Sequence, residues 1–142
     1  ASVDKVKALN PKKVFINCGR NDLNFGNGRN AETTSDAVTE LVTKLKEALP
    51  DATIYVVSMM PITQDLEISN GTYHTEKDVD ALNTALSTKT TAAGANYIDI
   101  TAPFKKNNGY LNDDYTADGY TIRKAYFPFL LNGIAKTINN GQ

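Results

Sequence analysis

Three short apolar runs, separated by helical periodicity, constrain this chain more than any other feature. They are "KVFIN" (13–17), "TIYVVSM" (53–59) and "NYIDI" (96–100). Each is rich in β-branched or aromatic residues, and the first two are apolar on both faces. Such strands suit a parallel sheet covered on both sides, where neither face meets water. Between the first two runs, "SDAVTELVTKLKEAL" repeats Val38, Leu41, Val42, Leu45 and Leu49 at spacings of three and four, one face of a helix. Thr33, Thr34 and Ser35 offer N-caps, and Pro50 with Asp51 stops it. "EKDVDALNTALSTKTTAAG" repeats the pattern with Val79, Leu82 and Leu86, and Gly94 is its expected stop. "FPFLLNGIAKTI" carries Phe127, Leu130, Leu131, Ile134 and Ile138, with Pro128 tolerable only in a first turn. The opening "SVDKVKALNP" reads as the last turns of a helix. The order is (α)-β-α-β-α-β-α, which implies parallel strands joined by right-handed crossovers.

The 142 residues fit one α/β domain spanning 1–142. Loops run from Gly19 to Glu32, Pro61 to Thr75 and Thr101 to Gly119. All three follow the C-terminal end of a strand, the edge where ligands bind in open parallel sheets. Loops this long are often functional rather than mere connectors.

Fifteen basic residues against sixteen acidic ones give a net charge of −1, no electrostatic reason to expect nucleic acid or an anionic membrane. No apolar run approaches the ~20 residues of a membrane span. The polar opening shows no signal peptide. The richness in Asn, Thr and Tyr is that of an extracellular or cell-surface bacterial domain, with a cytoplasmic one as the alternative. The single cysteine, Cys18, rules out an internal disulfide and a cysteine-based zinc site, and is expected as buried filler at a strand end.

Candidate chemistry gathers in the loops. A glycine ending a buried strand permits a sharp turn. In Gly19-Arg20-Asn21-Asp22, Asn21 reads either as a turn residue or as a neutral donor aimed into the cleft at developing negative charge. Asp118 reads as a helix cap or as a carboxylate orienting a histidine. Asp113 and Asp114 are expected as solvated loop charges that lack the oxygen ladder of a calcium loop. The sole histidine, His74, is a surface residue or a general base, and without a second histidine it supports no metal site. Tyr73, Tyr110, Tyr115 and Tyr120 are packing residues or platforms for a sugar or partner. There is no G-x-S-x-G elbow and no phosphate-binding glycine loop, which counts against a nucleotide or flavin binder. No cofactor and no metal are implied.

"PKKVFINCGRNDL" and "YTADGYT", in this order and on these elements, resemble the third and fifth sequence blocks of the SGNH/GDSL hydrolases. "LNTAL" (82–86) and "YIDI" (97–100) are similar to the helix and strand between those blocks. The resemblance implies a three-layer α/β/α fold with a flavodoxin-like parallel sheet of about five strands. It implies hydrolysis of a carboxylic or acetyl ester, on carbohydrate among other carriers, through an acyl-serine. Asn21 takes the place of the oxyanion-hole asparagine, Gly19 that of the glycine opening the third block, and Asp118 that of the aspartate orienting the histidine. Thr121 stands at the histidine position, and a threonine hydroxyl is no base near neutral pH. The G-D-S turn of the first block is absent; its place would precede Ala1, as would the first two strands of the sheet.

The expected domain is therefore incomplete at its N-terminus and inactive as an isolated chain. The alternative is a non-catalytic domain of the same fold that binds a small ester, a carbohydrate or a partner. Strand 13–17 should present an unpaired apolar edge, which calls for a homodimer mate or a complementing N-terminal segment.

Overall fold

The computed structural model describes residues 3–24, 29–70 and 75–140. Helix α1 (Val3–Leu9) leads into strand β1 (Lys13–Ile16), followed by α2 (Arg20–Asn24) and α3 (Ala31–Ala48). Strand β2 (Thr53–Val57) is followed by α4 (Gln64–Asn70) and α5 (Glu76–Ala92), then β3 (Asn96–Ile98). Three single 3-10 turns, Ala102–Phe104, Asp113–Tyr115 and Lys124–Tyr126, lead to the last helix, α6 (Phe127–Asn140). The strands form one parallel sheet in the order β1-β2-β3, with Ile16 beside Val56 and Val57 beside Ile98. The fold class is the α/β, layered parallel type that the sequence implies.

Each face of the sheet has its own core. On one face Ile16, Ile54 and Val56 meet Val38, Val42 and Leu45 of α3 and Val79, Leu82 and Leu86 of α5. On the other, Val57 and Ile98 pack with Phe104, Leu111 and Ile122, covered by Leu130, Ile134 and Ile138 of α6. Leu82 and Val42 are wholly buried, and truncating a fully buried leucine costs about 2–5 kcal/mol.

The strands are shorter than the apolar runs because their last residues turn away to build loops. Ser58 still donates its N–H to the Ile98 carbonyl at 2.9 Å, while its hydroxyl receives the Ile100 N–H at 3.0 Å. Helix α3 starts at Ala31, ahead of the expected caps. Asn30 is the N-cap: its side chain accepts the Thr33 N–H at 3.0 Å, and the Thr33 hydroxyl accepts the Asn30 N–H at 3.0 Å. Two of the long loops contain a short helix, α2 and α4, that periodicity does not reveal. α4 is started by the Thr63 hydroxyl, which accepts the Leu66 N–H at 3.3 Å.

Two burial expectations are corrected. Cys18 is exposed, because the chain has already left the sheet at Asn17. β1 is an edge strand, so Phe15 stays 46 % exposed although its ring stacks on Tyr55 at 4.9 Å. α6 behaves likewise: Leu130, Ile134 and Ile138 reach the core, while Phe127 and Leu131 remain 45 % and 60 % exposed. No helix among the described residues is long and apolar enough to cross a membrane.

Candidate active site

The loops after β1 and β2 and the segment before α6 enclose a cavity of about 490 Å³ at the C-terminal edge of the sheet. Gly19, Asn21 and Thr121 line it together, with Met60 and Ile122 supplying apolar wall. The position follows from the parallel order of the strands, whose C-terminal ends all open on this side.

The first wall depends on Gly19. Its φ is +113°, and a Cβ there would lie 3.2 Å from both Leu82 Cδ2 and Thr34 Cγ2. The glycine lets the backbone turn against α3 and α5 directly into α2, which places Asn21 on the cavity wall. Asn21 is exposed, and no hydrogen bond among the described residues engages its side-chain amide. Asp22, next in the block, pairs with Arg29 and points to structure rather than chemistry. Cys18 also lines the cavity; although the residue is exposed, partial desolvation by the surrounding loops and then the nearby Asp22 carboxylate push its thiol pKa up. A thiol so raised is not an activated nucleophile.

The facing wall is the Thr116–Ile122 turn, closed by a backbone bridge between those two residues. Asp118 sits at its centre, one layer behind Thr121. It lines a neighbouring cavity of about 550 Å³ with Thr63, Asp65 and Arg123. Its Oδ1 accepts from the Thr121 N–H at 2.7 Å, the Tyr120 N–H at 3.0 Å and the Thr116 hydroxyl at 3.1 Å. Burial alone would raise its pKa. The Thr121 hydroxyl and these donors outweigh burial and hold Asp118 down at about 2. Asp118 is therefore a fixed anion at neutral pH.

A depressed carboxylate stabilises the fold above its unfolded pKa and loses that contribution as pH falls through its folded value. The stability difference between the wild type and Asp118→Asn is thus expected at pH 7 and should close between about pH 4 and pH 2. Denaturant titrations across that range measure it; a gap independent of pH would contradict the bond set.

The rest of the site rests on residues that motif spacing does not single out. Asn83, in the middle of α5, accepts the Met59 N–H at 2.7 Å and donates to the Met59 carbonyl at 2.8 Å, fixing the chain after β2. An amide set into an apolar helical face is the signal that could have found it. Ser58 lines the cavity, but its hydroxyl is committed to Asp99 at 3.3 Å and to the Ile100 N–H. Gly119 carries φ +87°, and its carbonyl accepts the Thr63 N–H at 2.8 Å, tying the Asp118 turn to the start of α4. Asp113 is not a free charge: it pairs with Lys106, which lowers its pKa. Tyr115 is packing, edge-on to Phe104 and Tyr126 at 5.1 and 4.7 Å. His74 and Tyr73 lie outside the described residues. Among the described residues no cluster of three His, Cys, Asp or Glu could hold a metal ion.

With this arrangement in view, one comparison decides the family. Residues 1–129 match the model of the GDSL-like Lipase/Acylhydrolase family. The chain belongs to that family. No curated protein sequence matches this one. Among solved structures, a GDSL-like lipase from Bacteroides thetaiotaomicron superposes with a TM-score of 0.78 at 20% identity, covering 98% of this chain and 67% of that one. The periplasmic domain of a lipopolysaccharide acetyltransferase from Salmonella ser. Paratyphi A gives 0.69 at 18% identity, covering 96% and 60%. An aryl esterase of M. smegmatis gives 0.68 at 16% identity, covering 97% and 67%. These identities establish a shared fold. This GDSL-type chain spans 60% to 67% of the length of the three structures.

Proposed function

We propose that the chain supplies the oxyanion and aspartate parts of an acylhydrolase site for small carboxylic or acetyl esters. The observation that carries this is the meeting of Asn21 and Thr121 across one cavity, with an ionised Asp118 bonded directly behind Thr121. In the proposed reaction a serine Oγ attacks the ester carbonyl carbon and gives its proton to a base. The alcohol leaves with that proton, and water then releases the acyl group from serine. Asn21 would donate its amide N–H to the oxygen that becomes negative. Asp118 would orient a base at position 121, where this chain has only a hydroxyl.

The serine would come from outside residues 1–142, on a strand laid parallel along the free edge of β1, and the base would stand at position 121. Pairing there is favoured by the open edge and half-exposed Phe15. A second copy on the same edge is the competing partner. The resemblance to a periplasmic acetyltransferase domain and an aryl esterase supports acyl chemistry on a small group, and an extracellular or cell-surface setting fits the composition.

The test is hydrolysis of a small chromogenic acetyl ester. The isolated chain should show no turnover above background. Extending it with a strand that ends in a G-D-S turn, together with Thr121→His, should raise turnover by at least about a thousandfold, because serine and base act as a unit. Robust hydrolysis by the chain alone would sink the proposal of divided machinery.

A second reading is a non-catalytic binding domain. Thr121 in place of a base favours it, as does Tyr120, 40 % exposed on the cavity wall, where a ring could stack on a sugar. Carbohydrate binding without recovered hydrolysis in the extended variant would select it.

A further inference from the structure

We propose that Arg20 is a positioning residue, a strap that holds the loops after β1 and β2 against the Asp118–Thr121 turn. Arg20 opens α2 immediately after Gly19 and immediately before Asn21. Its Nη2 donates to the Met60 carbonyl at 2.6 Å, across the cavity from its own loop. Its Cζ lies 5.2 Å from the centroid of the Tyr120 ring, in the turn that carries Asp118 and Thr121. One side chain therefore touches all three segments that bound the cavity.

The guanidinium occupies this position against the pull of solvent. Nη1 is buried without a partner among the described residues. Burial, the largest influence, lowers the Arg20 pKa, while the Tyr120 and Asp118 side chains act in the opposite sense. A cation with an unpaired buried N–H is held by its other contacts. Those contacts suit a planar fork: one arm reaches a carbonyl while the guanidinium carbon stands over a ring. Lysine has the charge but not the fork. Because Asn21 is the next residue, the strap sets how far the oxyanion donor stands from position 121. The proposal rests on the acylhydrolase reading for the meaning of that distance. Its test reads coupling between loops rather than turnover, so the two can fail separately.

The experiment is solvent exchange of backbone amides by NMR on the chain as it stands. In Arg20→Met, the Tyr120 and Thr121 amides on the far wall should exchange about tenfold faster, while the Val57 and Ile98 amides in the sheet keep their rates. Arg20→Lys should fail to restore the slow exchange. In the reverse direction, Tyr120→Leu should shift the Arg20 Nε–H and Asn21 resonances. Unchanged exchange at Tyr120 and Thr121 in Arg20→Met would overturn the proposal, as would equal acceleration in the strands, which marks a general loss of stability. Full rescue by lysine would overturn the fork. Should Arg20→Met fail to fold, Tyr120→Leu decides alone, and undisturbed Arg20 and Asn21 signals would reject the strap.

Discussion

In the extended enzyme, Asn21→Ala is expected to lower kcat by about 10²–10³-fold with little change in KM. The reason is geometric. The Asn21 amide stands on the wall of a 490 Å³ cavity, and nothing among the described residues engages it. An uncommitted neutral donor beside a reacting carbonyl strengthens its bond as the oxygen becomes negative, so its loss is felt in the transition state. Asn21→Asp should be at least as damaging, since it sets a carboxylate against the same charge. Stability should hardly move in Asn21→Ala, because the side chain is exposed and changes at such positions stay within about 0.5 kcal/mol. Steady-state kinetics beside a denaturation curve separate the two effects. An unchanged kcat would assign the oxyanion to other donors.

The second large effect is structural. Gly119→Ala should destabilise the fold by about 2–4 kcal/mol, combining left-handed backbone strain with a forced clash. At φ +87° an added Cβ would lie 2.8 Å from Leu66 Cβ and 2.9 Å from Thr63 Oγ1. Neither neighbour is the far end of a flexible chain; one is the first side-chain carbon of a helix residue and the other caps that helix. The turn would have to shift, and with it the Tyr120 and Thr121 N–H groups that hold Asp118 ionised. A raised Asp118 pKa should accompany the lost stability, and carboxyl-detected NMR would record it. A variant with normal stability and a normal Asp118 titration would show that α4 yields freely.

Much of the architecture is written in hydrophobic periodicity. The three strands, the helices α3 and α5, and most of their core positions follow directly from runs and spacings. What periodicity omits is what lies across from a residue. Phe15, Phe127 and Leu131 have the composition of core, yet Phe15 sits on an edge strand and all three stay exposed. Cys18 reads as strand filler, but the ladder stops at Ile16. Helices α2 and α4 are too short for a hydrophobic stripe and depend on a glycine turn and a threonine cap that become visible only in three dimensions. Of the candidates that spaced motifs name, Gly19 and Asn21 line the cavity and Asp118 is bonded behind Thr121. Arg20 and Asn83 are not among those candidates, since each works through the backbone of a loop some forty or twenty-four positions away.

The Thr63–Gly119 bond has a bearing on how such a site diversifies. The loop after β2 is pinned at two consecutive residues, at Ile62 by the Leu111 N–H at 2.8 Å and at Thr63 by Gly119. Residues 56–63 are buried without a break. Length changes within that stretch would drag the Asp118 turn along, whereas Glu67 to Ser69 lie past both anchors on the outward part of α4. Natural drift and directed evolution alike would find room for new recognition elements beyond Leu66, and almost none ahead of it.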